Sequence, residues 1–190
     1  MAESLMQMYE TMTATAQQEL YDFALFLLSK EKSIKNIAKY MVILKVKNGQ
    51  GKNFMNDRIF IDSNILIYSI DDYEKEKQMS AFNIISKLSE NGGIISTQVL
   101  QEFYNIATKK LGLSKENAKI LLERLSECFI VHKNSVLDIL HAIEISIKTQ
   151  FSFWDSLIIS AALAEGCSYL YSEDLNSGQS VEGLIIKNPL

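Results

Sequence analysis

Four acidic side chains carry the chemistry this sequence can do. Asp62 closes the apolar run Ile59-Phe60-Ile61, and Glu102 stands early in a helical stretch that begins near Thr97. Asp155 lies at the start of Phe153-Trp154-Asp155-Ser156-Leu157-Ile158, and Asp174 sits in Tyr171-Ser172-Glu173-Asp174-Leu175. Their spacings of 40, 53 and 19 residues carry no information alone; their flanks do. Each carboxylate adjoins an apolar stretch and so belongs at the edge of a core, partly stripped of water, where like charges repel strongly unless cations compensate them. Hard oxygen donors suit magnesium or manganese, which bind through a few carboxylates, keep several waters and engage phosphate. Taken one at a time, each acid also has a plainer reading. Glu102 and Asp155 fit a first helical turn, where the macrodipole favours negative charge, and Asp174 fits a turn.

The elements that must position these acids follow from hydrophobic periodicity. Helical patterns cover about 64–70, 74–90, 97–110, 115–127, 135–149 and 154–165. Short apolar runs at Ile59-Phe60-Ile61, Ile94-Ile95, Phe129-Ile130-Val131, Tyr169-Leu170-Tyr171 and Leu184-Ile185-Ile186 read as strands between them. Such alternation predicts an α/β fold, a three-layer α/β/α domain with a central parallel sheet whose strand C-termini line one crevice. Before it, residues 16–28 place Leu20, Phe23, Ala24, Leu27 and Leu28 on one helical stripe, the mark of an amphipathic N-terminal extension. Residues 33–47 fit either a helix capped by Ser33 or a strand over 40–46. The run Lys47-Asn48-Gly49-Gln50-Gly51-Lys52-Asn53 has no apolar residue and reads as a linker. The boundary accordingly falls between residues 1–54 and 55–190.

Composition sets the outer limits. At 190 residues, with 47% hydrophobic and 22% charged residues, one Pro and eight Gly, the chain fits one packed domain with an appendage and excludes disordered, collagenous and Pro-rich classes. Its apolar runs stop well short of the roughly 18 residues a bilayer span requires. No Lys or Arg precedes Lys30, so the basic opening of a secretory signal is missing, and a cytoplasmic location is expected. Cys128 and Cys167 lack ligand spacing and read as reduced core residues. The net charge of −4 hides an asymmetry: residues 30–58 hold eight Lys or Arg against Glu31 and Asp57, a balance of +6, which leaves −10 on the rest. The basic segment either contacts something anionic, nucleic acid or the acidic body itself, or is a solvated linker.

The segment from Ile59 to Tyr68, with Asp62-Ser63-Asn64 at the end of its apolar run, resembles the opening of the PIN-domain ribonucleases. Further motifs stand in the family's order. Ser96 to Phe103 is similar to its second acidic motif, Phe153 to Ile158 to its third, and Ser172-Glu173-Asp174 to its fourth. The likeness spans about 57–190 and is closest to VapC-like toxins of toxin–antitoxin pairs. It implies a metal-dependent endoribonuclease of the toxin–antitoxin type that hydrolyses RNA phosphodiesters. Metal coordination and catalysis would fall to Asp62, Glu102, Asp155 and Asp174, with Asn64 and Ser172 orienting them through hydrogen bonds. It further implies magnesium or manganese as cofactor, RNA as substrate, an antitoxin partner and a homodimer. Residues 16–30 are similar to the short helical segments of antitoxins, and Met55 stands where a separate toxin would start, so the chain reads as an antitoxin-like segment joined to a PIN toxin. The partner is then that segment in cis or a separate antitoxin. The non-enzymatic rival is a neutralised fusion that serves as a binding or regulatory protein.

Other features carry less. His132 and His141 have no second ligand at metal spacing and read as packing residues, and Trp154 is expected to pack the start of its helix. Asp71-Asp72 reads as a cap for the stretch from Tyr73. Glu173 is expected to point away from the site if Asp174 points in. A response-regulator receiver would need an acidic pair after its first strand and a late Lys, and a dehalogenase-like phosphatase would need Asp-x-Asp; Ser63, Asn64 and Asp174 stand in those places instead.

Overall fold

The structure is a computed structural model that describes residues 57–190 together with the isolated positions 12–13, 16–18 and 44. The chain divides into two compact units, Met1–Ala38 and Lys39–Leu190, and the second contains every strand described below. In the first, residues 16–18 are helical; the remainder of the expected 16–28 helix lies outside the described residues. So does the region 33–47, apart from the buried Leu44, and so does the linker.

Six strands form one sheet, β1 (Ile59–Ile61), β2 (Ile94–Ser96), β3 (Ile130–His132), β4 (Tyr169–Tyr171), β5 (Ser180–Val181) and β6 (Leu184–Lys187), in the order β3-β2-β1-β4-β6-β5. All contacts are parallel except β5 with β6. Register pairs Phe60 with Ile94 on one side and with Leu170 on the other. Parallel neighbours require crossovers, and the helices supply them. They are α1 (Ser63–Ile70), α2 (Lys75–Asn91), α3 (Thr97–Lys109), α4 (Lys115–Cys128), α5 (Val136–Thr149) and α6 (Phe153–Ala164).

β1 and β2 are buried along their whole length, as continuous apolar runs in a sheet covered on both faces must be. Helix α1 packs on both α2 and α3, and α3 packs on α4, while α5 packs on α6, which lies against β2, β4 and β6. The result is the α/β/α arrangement expected from the alternation. Polar caps decide where each helix starts. Asp62, Ser96, Ser114, Ser135 and Ser152 each accept a backbone N–H in the first turn, and Ser135 forms a reciprocal box with Asp138. Asp71 accepts from Tyr73 N in the connection before α2, which itself starts at Lys75 without a side-chain cap. Gly92 ends α2 with φ 85°, a left-handed conformation that glycine adopts without strain.

β5 has no counterpart in the sequence reading, because two residues carry no period. Trp154 also departs from expectation. It is 61% exposed, edge-on to Phe153 at 5.2 Å, rather than packed into the helix start. Both cysteines are free and buried, and burial pushes the Cys167 thiol up to about 12. No helix among the described residues is long and apolar enough to cross a membrane.

Candidate active site

The C-terminal ends of β1, β2 and β4 deliver two helix starts and one loop to the same edge of the sheet. Asp62 follows β1, and its N–H donates to Tyr171 O (2.9 Å), which extends the β1–β4 ladder by one residue and sets Asp62 beside Ser172. As N-cap of α1, Asp62 accepts from Ser63 N through Oδ1 (2.6 Å). Its other oxygen accepts from Ser172 Oγ (2.7 Å) and Asn64 Nδ2 (3.3 Å).

Two side chains of α1 tie further acids to Asp62. The Ser63 hydroxyl donates to Glu102 Oε2 across 2.6 Å and lies 3.4 Å from Asp62 Oδ1. The Asn64 amide reaches Asp174 Oδ2 (3.1 Å) and Ser172 Oγ (3.2 Å) as well as Asp62. Asp62 is 6% exposed, whereas Glu102 is half-buried and Asp174 exposed. Burial pushes the Asp62 carboxyl up from 3.8 to about 6; the hydrogen bonds from Ser172 and Ser63 oppose that rise, and the negative charges of Glu102 and Asp174 add to it.

Asp155 stands differently. Its carboxylate accepts from the Ser152 hydroxyl (2.7 Å), and its N–H donates back to the same oxygen (3.2 Å), the contacts of a helix cap. The link to the other acids is indirect: Gln98 Nε2 donates both to Glu102 Oε1 (2.9 Å) and to the carbonyl of Trp154, the residue before Asp155 (3.1 Å). The structure therefore joins Asp62, Glu102 and Asp174 through Ser63 and Asn64, and sets Asp155 next to that group without a direct bond to it. Ser63, Gln98 and Ser152 were not singled out by sequence. Gln98 alone left a signal, standing one helical turn before Glu102 on the same face.

The donor set fits a hard divalent cation. It consists of oxygens only, and two more of these, Asn64 Oδ1 and Gln98 Oε1, are buried with no hydrogen-bond partner among the described residues. The amide orientations are fixed by their partners, since the other atom of each faces only acceptors. Among the described residues no three His, Cys, Asp or Glu side chains are packed closely enough to hold a metal ion as they stand. The Ser63 hydroxyl and the Asn64 amide stand between the carboxylates and bridge them instead.

Glu173 turns away from this group. It accepts from Tyr68 Oη on α1 (3.2 Å) and from Lys77 Nζ on α2 (3.3 Å). His132 lies between Glu165 (3.0 Å from Nδ1) and Asp138 (3.2 Å from Nε2), and Glu165 also pairs with Arg58 at 2.9 Å. Since the two acids face opposite ring nitrogens, this cluster cannot chelate one ion.

A mixed sheet of this order with acids gathered at its C-terminal edge defines an α/β protein whose candidate site lies at the strand ends. The PIN domain family profile matches residues 59–177, and the chain belongs to the PIN domain family. Solved structures with a similar fold include the Mycobacterium tuberculosis toxin VapC20, described as cleaving the sarcin–ricin loop, at 18% identity and a TM-score of 0.52, over 61% of this chain and 89% of that one. Rickettsia felis VapBC2 bound to a promoter DNA fragment is 22% identical with a TM-score of 0.52 over 68% and 97%. DNA-bound VapBC from Salmonella typhimurium is 19% identical with a TM-score of 0.51 over 68% and 96%. At these identities the likeness shows the fold. No curated protein matches the sequence.

Proposed function

We propose that the chain is a metal-dependent endoribonuclease of the toxin–antitoxin type. The observation that carries this reading is the Asn64 amide, which draws Asp62, Ser172 and Asp174 to one point at the sheet edge while Ser63 ties Glu102 to the same place. Asp62, Glu102, Asp155 and Asp174 would hold magnesium or manganese. When bound, such a cation makes water acidic enough to act as a nucleophile at neutral pH and offsets negative charge at the phosphate. Asn64 and Ser172 fix the rotamers of Asp62 and Asp174, and Gln98 fixes that of Glu102. The acidic edge repels RNA unless cations are present, which makes activity strictly metal-dependent. Expected products carry a 5′-phosphate and a 3′-hydroxyl.

The test is cleavage of labelled RNA by the purified chain with magnesium, manganese or chelator. Cleavage that persists in chelator, or that survives Asp62→Asn undiminished, would overturn the reading. A second reading, a neutralised fusion that binds without cutting, rests on the likeness of residues 16–30 to antitoxin helices. It predicts no cleavage with either metal by the intact chain, and cleavage by residues 55–190 once the neutralising segment is removed.

A homodimer belongs to the same proposal. Val136, Leu140, Ile143 and Ile147 form an exposed stripe on α5, opposite the buried Ala142 and Ile145. Such a stripe is too apolar for a lone monomer to leave open. Its positions are symmetric about the middle of the helix, so a two-fold axis there sets Val136 against the partner's Ile147 and Leu140 against the partner's Ile143.

A further inference from the structure

We infer that Glu173, clamped by Tyr68 and Lys77, is a positioning residue that holds Asp174 in the site; this rests on the reading of Asp174 as a metal ligand. Asp174 is exposed, and among the described residues its carboxylate is anchored by the Asn64 amide alone. A single contact to an exposed carboxylate leaves its loop free to swing. The preceding residue supplies the restraint. Glu173 Oε2 accepts from Tyr68 Oη (3.2 Å), and Oε1 accepts from Lys77 Nζ (3.3 Å). Lys77 also pairs with Glu74 at 3.3 Å and lies 4.9 Å from the centre of the Tyr68 ring, so the three residues form one closed group.

The register of this group ties it to the site. Asn64 and Tyr68 are one turn apart on α1 and lie on the same face, while Asp174 and Glu173 are consecutive in the loop. α1 thus presents two successive contacts to two successive loop residues, Asn64 to Asp174 and Tyr68 to Glu173. α2 adds a third point through Lys77. Three points on two helices fix both the position and the rotation of the loop, whereas Asn64 alone would fix only its distance. On the other side of Glu173, Ser172 is pinned by Lys187 O and Asp62, so the restraint spans the whole segment that carries the fourth acid.

The test uses the full chain and manganese(II) binding followed by electron paramagnetic resonance, with thermal stability measured in parallel. Glu173→Ala is expected to weaken manganese binding by about tenfold, the low end of what loss of an orienting contact costs. Tyr68→Phe should weaken it less, and Glu173→Gln, which keeps an acceptor for the Tyr68 hydroxyl, should recover part of the loss. In an Asp174→Asn background Glu173→Ala should add nothing, because it acts through Asp174. A lowered melting temperature with unchanged manganese affinity would reduce the group to a stabilising contact and overturn the inference. Unchanged affinity in Asp174→Asn itself would instead overturn the metal-site reading, which separates the two failures.

Discussion

The side-chain amide of Asn64 donates to Asp174 Oδ2 across 3.1 Å, joining residues 110 positions apart. The same nitrogen lies 3.3 Å from Asp62 and 3.2 Å from Ser172, so two N–H donors serve three acceptors from two segments. Asn64→Ala removes both donors and leaves Asp62 and Asp174 to repel each other. RNA cleavage and manganese affinity are each expected to fall about 10- to 100-fold. Binding unchanged in a folded Asn64→Ala protein would remove Asn64 from the site.

Asp62 makes metal-free stability depend on pH. Its carboxyl is held at about 6 in the folded protein and titrates near the ordinary 3.8 when unfolded. Between about 4 and 6 the folded state therefore binds the extra proton, and stability falls as pH rises through that window. Asp62→Asn keeps the capping oxygen and removes the charge. In chelator it should gain about 1–3 kcal/mol at pH 8 and almost nothing at pH 3.5. Urea unfolding at both pH values decides the point, and equal gains would assign the effect to something other than the buried charge.

Asp155 separates two roles that its geometry leaves side by side. As a cap partner of Ser152 it stabilises α6, and its loss would cost about 1 kcal/mol. As a site carboxylate it would also hold the cation. Asp155→Asn is expected to lower manganese affinity and cleavage by tenfold or more. A variant that loses stability but binds manganese like the parent would confine Asp155 to capping.

The α5 stripe makes the assembly testable apart from the chemistry. Leu140→Asp puts a charge at the centre of the four exposed apolar residues, away from the buried face of the helix. The parent should sediment as a dimer and the variant as a monomer of unchanged melting behaviour at low concentration. A monomeric parent would mean that the stripe has no second copy on it.

The helices and central strands were legible because each keeps one period long enough to be seen. Apolar spacing over 97–110 falls on α3, with Val99, Phe103 and Ala107 buried, and the unbroken run Ile59-Phe60-Ile61 is a strand covered on both faces. β5 was not legible, since Ser180 and Val181 owe their extended form to pairing with β6 rather than to their own pattern. In the site, Asp62, Asn64 and Ser172 stand at element ends that sequence can place. Ser63 could not be read as a bridge to Glu102, because that bond spans 39 positions and exists only once α3 packs on α1. Trp154 was misread for a related reason: a large aromatic usually packs, and only the fold shows that its indole faces outward.

The basic segment from Lys30 to Lys52 lies outside the described residues, apart from Leu44, and its role rests on charge. It opposes an acidic body whose most crowded carboxylates are Asp62, Glu102 and Asp174. If its lysines compete with metal and RNA for that edge, the intact chain is held weakly active, and residues 55–190 alone cut faster. The advantage should be largest at low ionic strength and shrink toward nothing at about 1 M salt, where the screening length falls to about 3 Å. Lys45→Gln, Lys47→Gln and Lys52→Gln in the intact chain are the control that keeps the buried Leu44 while removing charge, and so separate lost packing from lost charge. Equal cleavage by the intact chain and residues 55–190 at low salt would rule out competition and leave the lysines as a solvated connection.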